Sequence, residues 1–205
     1  MSNAFETEWD RPEYDTLASL AGDLVFRLPG CTDVMVRKTL ASVYRDFCKR
    51  TCVLQTKRTI TLEYGENSYK VSPILRDCII DCITEGKLDG RPIRLMFNGD
   101  IIFMDDMFLP NEGETRDLEV TAIEIPCIGS ESVPRAIIQH YGDALVSGTL
   151  YKLFSMANRA WSDPNQAMLE ARLYENALTE CRARYYSGEN LANGELNYMK
   201  KGLVL

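Results

Sequence analysis

Ala144-Leu145-Val146-Ser147-Gly148-Thr149-Leu150-Tyr151-Lys152-Leu153-Phe154, followed after a short break by Trp161-Ser162-Asp163-Pro164-Asn165-Gln166, decides the fold of this chain. Ile137, Tyr141, Ala144 and Gly148 recur at helical spacing, and Leu145, Leu153 and Phe154 widen the same face. The small residues at 144 and 148 let a neighbouring backbone come close. Pro134 suits the first turn of this helix, which runs to about residue 156. A second start signal follows: Asp163 as cap, Pro164 at the first helical position and Gln166 placed for a capping box. Met168, Ala171, Tyr174 or Glu175, Leu178, Cys181 and Tyr185 continue at helical spacing to a stop near Ser187-Gly188. Two long helices joined by a tight link pack as an antiparallel pair, with Trp161 placed to plug the link. The competing reading makes Trp161 and Tyr185-Tyr186 interaction anchors.

Upstream, the first sixteen residues show no period and read as a flexible or docking arm. A short helix over 17–28 ends at Pro29-Gly30. Thr32 or Asp33 then caps a helix over about 33–51, whose Val36, Leu40, Val43 and Phe47 line one face.

The middle of the chain changes period. Thr59-Ile60-Thr61-Leu62-Glu63-Tyr64 alternates as a half-exposed strand does, and Tyr69-Lys70-Val71 is its expected partner across Gly65-Glu66-Asn67. Ser72-Pro73 is a possible helix start, but residues 78–84 are rich in strand formers and favour a strand running toward Asp89-Gly90. Asn98-Gly99 between Leu95-Met96-Phe97 and Ile101-Ile102-Phe103 predicts a hairpin with a type I′ turn, which needs positive φ at both central positions. Residues 118–125 supply another strand. The expected class is therefore α+β, mainly α. It comprises one domain with a helical core at about 17–51 and 133–187, an antiparallel β insertion at about 53–128, and N- and C-terminal arms.

Charge is unevenly spread. Of a net −7, residues 98–119 hold net −6: Asp100, Asp105, Asp106, Glu112, Glu114, Asp117 and Glu119 against Arg116. An acidic balance argues against sequence-independent DNA binding, which needs Lys and Arg to displace phosphate counterions. The stretch lacks the spacing of a calcium loop, so a solvated loop is the plain reading. The alternative is an acidic wall that keeps passing DNA from sticking, with Asp100, Asp105, Asp106, Glu112 and Glu114 facing it.

Catalytic signals are sparse. His140 is the single histidine, and no nucleophile elbow, phosphate loop or dinucleotide fingerprint occurs. Cys48/Cys52 and Cys78/Cys82 are each four residues apart and together could hold zinc, although structural zinc sites favour turns. Small core thiols in a reduced protein are the plainer reading. No cofactor and no catalytic residue are expected. No apolar run reaches a membrane span of about 18 residues, and the acidic N-terminus does not read as a secretory signal. The tail, 189–205, carries Leu196, Tyr198, Met199, Leu203, Val204 and Leu205 without a sustained period. It either stays mobile or docks on a partner.

Residues 144–154, 161–164 and 173–178, with Leu28-Pro29-Gly30-Cys31, Val43 to Thr51, and Ile60 to Val71 followed by Ser72-Pro73, resemble the head-to-tail adaptor (connector) proteins of tailed bacteriophages over about residues 17–187. The order and spacing of these segments carry the likeness. It implies a virion protein without enzymatic activity, made in the host cytoplasm and placed in the neck between capsid and tail. It implies a homo-oligomeric ring, dodecameric, that binds portal protein on one side and tail or nozzle protein on the other. Genomic DNA would pass through without sequence-specific binding. The tail residues named above would dock on portal. Another neck or tail component (stopper, nozzle or tail-completion subunit) is the second reading, and a metal-binding or enzymatic module the third.

Overall fold

The computed structural model describes residues 12–187, with side chains to residue 184. It is an α+β protein whose elements run β1 (Tyr14–Thr16), α1 (Ala18–Arg27), α2 (Asp33–Thr51), β2 (Gln55–Glu63), β3 (Ser68–Lys70), β4 (Cys78–Leu88), β5 (Arg91–Ile93), β6 (Met96–Asn98), β7 (Ile101–Phe103), β8 (Thr115–Pro126), β9 (Ser132–Pro134), α3 (Arg135–Phe154) and α4 (Pro164–Ser187). A 3-10 turn, Asp106–Phe108, lies between β7 and β8. The chain divides into two compact units: the helical one up to Val53 and from Pro126 onward, and a β unit over Leu54–Ile125.

The helical unit is built by local signals that agree with its packing. Thr32 caps α2 by accepting a hydrogen bond from the Met35 amide at 3.4 Å. Val36, Leu40, Val43, Tyr44 and Phe47 are fully buried. Phe47 lies between two rings, 5.2 Å from Tyr141 of α3 and 6.3 Å from Tyr174 of α4. Such tilted aromatic pairs add about 0.5–1.5 kcal/mol each beyond their buried area. Arg50 grips Glu175 with one nitrogen 2.9 and 2.8 Å from its two oxygens, and Arg27 of α1 meets the buried Glu170 of α4 at 2.6 Å.

Three expectations change here. Residues 14–16 are not part of an unstructured arm. They form β1, paired antiparallel with β9, and Arg135 donates its amide to the Glu13 carbonyl. A three-residue strand is too short to leave a period. In α4 the buried stripe starts at Ala167 and Glu170, whereas Met168 is exposed. Asp163 does cap α4 through the Asn165 and Gln166 amides, both at 3.0 Å, but its own amide goes to the Phe154 carbonyl, so that group is not left for the Gln166 side chain. Tyr185 lies beyond the described side chains.

The β unit contains a four-stranded sheet, order β2-β8-β4-β5, and a three-stranded sheet, order β3-β7-β6. Leu62, Tyr69, Val71, Ile80, Leu88, Ile102, Met104, Leu118 and Val120 form its core. The strand over 78–84 is present as part of β4, and Ser72-Pro73 starts no helix. The expected hairpin partners are wrong, however. β2 pairs along its full length with β8, from Gln55↔Ile123 to Glu63↔Thr115, while β3 pairs with β7. Tyr69 still ties back to the turn: its hydroxyl accepts from the Glu63 amide at 3.0 Å and donates to the Glu66 carbonyl at 2.6 Å.

The Asn98-Gly99 turn is also displaced by one residue. Asn98 pairs with Ile101, so the loop is Gly99-Asp100, and of these only Gly99 has positive φ (67°). That is the glycine-first pattern of a type II′ turn. The register places Phe97 opposite Ile102, both toward the core; a one-residue slip would turn them outward. The type I′ pattern occurs instead at Asp89-Gly90, with φ of 50° and 75°, between β4 and β5.

Tyr141 and Tyr174 are almost wholly buried. Burial first, then the neighbouring Cys181 thiol for Tyr141 and the Asp46 carboxylate for Tyr174, push both phenols well above the usual tyrosine value. The unfolded chain loses these protons near pH 10 while the folded chain keeps them. Stability is therefore untouched by these groups below about pH 10 and falls as pH rises beyond it. The double variant Tyr141→Phe/Tyr174→Phe is expected to lose stability less steeply above that pH. Urea midpoints compared across pH would show this, and an unchanged slope would mean that the phenols are not shielded.

Candidate functional site

The seven acidic side chains of residues 98–119 are all exposed on the β unit. Asp100 occupies the β6–β7 turn and pairs with Lys70 at 3.4 Å. Asp105 and Asp106 are exposed at the start of the 3-10 turn, and Glu112 and Glu114 are exposed before β8. Asn111 donates to Glu114 at 3.0 Å, and Thr61 donates to Asp117 at 3.1 Å. These carboxylates follow the surface in sequence order. Among the described residues, no group of three or more His, Cys, Asp or Glu side chains is arranged to hold a metal ion.

Three exposed apolar side chains of the β unit, Met96, Phe103 and Met107, were not singled out from the sequence. Met96 and Phe103 are directly opposite each other across β6 and β7, and are 60% and 39% exposed. Met107, on the 3-10 turn, is 77% exposed. Its neighbours Phe108 and Leu109 pack against the core, and Arg116 donates to the Phe108 carbonyl at 3.2 Å. The turn is thereby pinned with Met107 outward. The alternation of β6 and β7 carried the available signal, but only the correct register shows that Met96 and Phe103 share the outer face.

The β unit also contains a buried polar knot. Glu124 is fully buried. One of its oxygens accepts from Arg58 at 2.6 Å, Thr56 at 2.8 Å and the Ile74 amide at 2.9 Å, and the other accepts from the Leu75 amide at 2.9 Å. This ties segment 72–75 to β2 and β8. Everything in it is a donor to one carboxylate, so it is a fastening rather than a reactive centre. On the same sheet Lys57, Thr59, Glu85, Lys87, Glu119 and Thr121 line a shallow depression of about 320 Å³. Glu85 and Lys87 there neutralise each other at 2.9 Å.

Gly148 of the helical hairpin is buried, and what approaches it are the side chains of Tyr174 and Val43 rather than a backbone. Trp161 is half-buried in the α3–α4 link, its Nε1 buried without a partner and the Arg159 guanidinium 6.0 Å from its ring. Pro164 opens α4. His140 is exposed on α3. Cys31 and Cys181 are buried thiols, and Cys127 is half-buried. Cys48 lies within α2, whereas Cys52 is its left-handed C-cap (φ 55°), so this pair does not share a regular helical face. The docking-tail residues Leu196, Tyr198, Met199, Leu203, Val204 and Leu205 lie outside the described residues.

Among the described residues, no helix is long and apolar enough to cross a membrane. No protein-family model matches this chain, and no curated protein matches it.

Proposed function

We propose that this chain is a structural subunit of a phage neck, an adaptor that forms a homo-oligomeric ring beneath the portal and joins capsid to tail. The observation that carries this reading is the order of its parts: a capped helix, a β insertion, then a helical hairpin whose link runs through Trp161 and Pro164. The polar groups support a passive role. The buried carboxylates are each met by an arginine, Glu124 by Arg58 and Glu170 by the half-exposed Arg27, and the acids of residues 98–119 are exposed.

Native mass spectrometry and electron microscopy test it. The chain alone should be a monomer, and with purified portal it should form a ring. A chain that never associates with portal overturns the reading. Cross-linking within particles separates an adaptor, which must touch portal, from a stopper or nozzle subunit, which need not. Deleting residues 189–205 should leave the thermal midpoint of the monomer unchanged and abolish or weaken the ring. Unfolding of the truncated monomer would make the tail part of the core instead.

A further inference from the structure

We infer that the free edge of β2 is an acceptor for an added strand, and that residues 195–199 of a neighbouring copy supply it. Within the β unit, β2 stands at the end of the order β2-β8-β4-β5, so β8 pairs only one of its edges. The Glu124 amide donates to the Leu54 carbonyl at 2.8 Å, and the β2–β8 register continues from that pair. Bonded and non-bonded pairs alternate along an antiparallel ladder. The main-chain groups of Lys57, Thr59 and Thr61 therefore point away from β8. Thr121, opposite Lys57, has the matching direction: its carbonyl accepts from Thr84 of β4, at 3.3 Å. Glu63 has the same parity, and its outward amide and carbonyl are closed by Tyr69 and Glu66. Those of Lys57, Thr59 and Thr61 have no partner among the described residues. A long edge left in this way is a template for another extended chain.

The side chains along this edge select the occupant. Ile60, on the core side of β2, is only half-buried, while Lys57, on the outer side, is exposed without an ion pair among the described residues. A strand laid here needs apolar residues beside Ile60, alternating with polar ones that include an acid beside Lys57. Glu195-Leu196-Asn197-Tyr198, in the chain beyond α4, has that alternation. With Leu196 and Tyr198 on the Ile60 side, Glu195 falls on the Lys57 side. Residues 188–194 give the segment a tether of up to about 26 Å beyond α4, enough to cross to an adjacent copy. Donor and acceptor are different surfaces, so the contact is heterologous and repeats around a ring, whereas two β2 edges paired with each other would stop at a dimer. The donation between copies rests on the ring reading; the acceptor edge does not.

The test uses the dilute full chain and a synthetic peptide of residues 193–201. Amide hydrogen exchange should find Lys57, Thr59 and Thr61 fast in the chain alone. The peptide should slow these three by about tenfold at about ten times its dissociation constant. A peptide carrying Leu196→Asp/Tyr198→Asp should not. Lys57→Glu alters an exposed side chain, so its urea midpoint should match the parent's, and it should weaken peptide binding by about twofold or more. Four results would overturn the inference. They are no slowing by the peptide, equal slowing by the altered peptide, binding unchanged in Lys57→Glu, or slow exchange of the three amides in the dilute chain alone, which would mean that its own tail or a second β2 already covers the edge. Slowing by the peptide in a chain that forms no ring with portal removes the ring and leaves the acceptor edge standing. A ring in which residues 57–61 exchange as in the monomer removes the strand donation and leaves the ring standing.

Discussion

Replacing Arg58 with alanine is expected to destabilise the β unit by about 3–5 kcal/mol, the usual result of breaking a buried ion pair from one side. Glu124 is fully buried and the Arg58 side chain is only 10% exposed. Without the guanidinium, the carboxylate keeps three neutral donors, from Thr56, Ile74 and Leu75, and no counter-charge. Arg58 does more than neutralise. Its Nη2 also reaches the Thr56 hydroxyl at 2.7 Å, and its Nη1 donates to the Ser72 carbonyl. Loss of the fork therefore loosens segment 72–75 at two places. Arg58→Lys keeps a charge but not the planar fork, and should fall between the parent and Arg58→Ala. Because the chain has two compact units, urea unfolding should be read together with hydrogen exchange of the β2 and β8 amides. A loss below about 1 kcal/mol, as for an exposed pair, would show that solvent reaches Glu124.

The second large effect is expected at Gly148. A Cβ built there would lie 2.8 Å from Cδ2 and Cε2 of the Tyr174 ring and 2.8 Å from Cγ1 of Val43. These atoms belong to two other helices, α4 and α2, so the methyl cannot escape by moving one neighbour. Tyr174 is held by its hydroxyl at 3.2 Å from Asp46 and by the Arg50 guanidinium 5.9 Å from its ring centre, and Val43 is a stiff β-branched side chain. Overpacking of this kind costs about 1–3 kcal/mol or more, against a helix-propensity gain of at most about 1. Gly148→Ala should therefore lower the thermal midpoint by several degrees. Gly22→Ala is the matched control, since nothing lies within 4 Å of a Cβ there and the residue is exposed in α1. It should be neutral or stabilising. Gly86→Ala should cost less than Gly148→Ala despite a shorter contact of 2.4 Å, because the obstacle is the flexible end of Leu95. Equal midpoints for Gly148→Ala and the parent would mean that the three helices do not cross this tightly.

Much of the helical unit could be read from residues alone. Thr32, Asp163 and Pro164 mark helix starts by hydrogen bonds and torsions that span only a few residues, and Val36, Leu40, Val43 and Phe47 mark a face by spacing. Helix geometry is local, so local sequence carries it. The acidic segment was equally plain, because charge needs no partner to be counted.

What the chain alone determined was therefore the four helices, the strand character of 78–84 and 118–125, and the siting of the acids on a surface. Only the tertiary structure decided which strand Tyr69 joins, which two residues turn between Phe97 and Ile102, and that Glu124 and Glu170 go inside. The physical reason is distance along the chain. Strand pairing and the burial of a charge each depend on a partner far away in sequence, such as Arg58 for Glu124 and Arg27 for Glu170, and neither half of such a pair carries a mark of its own.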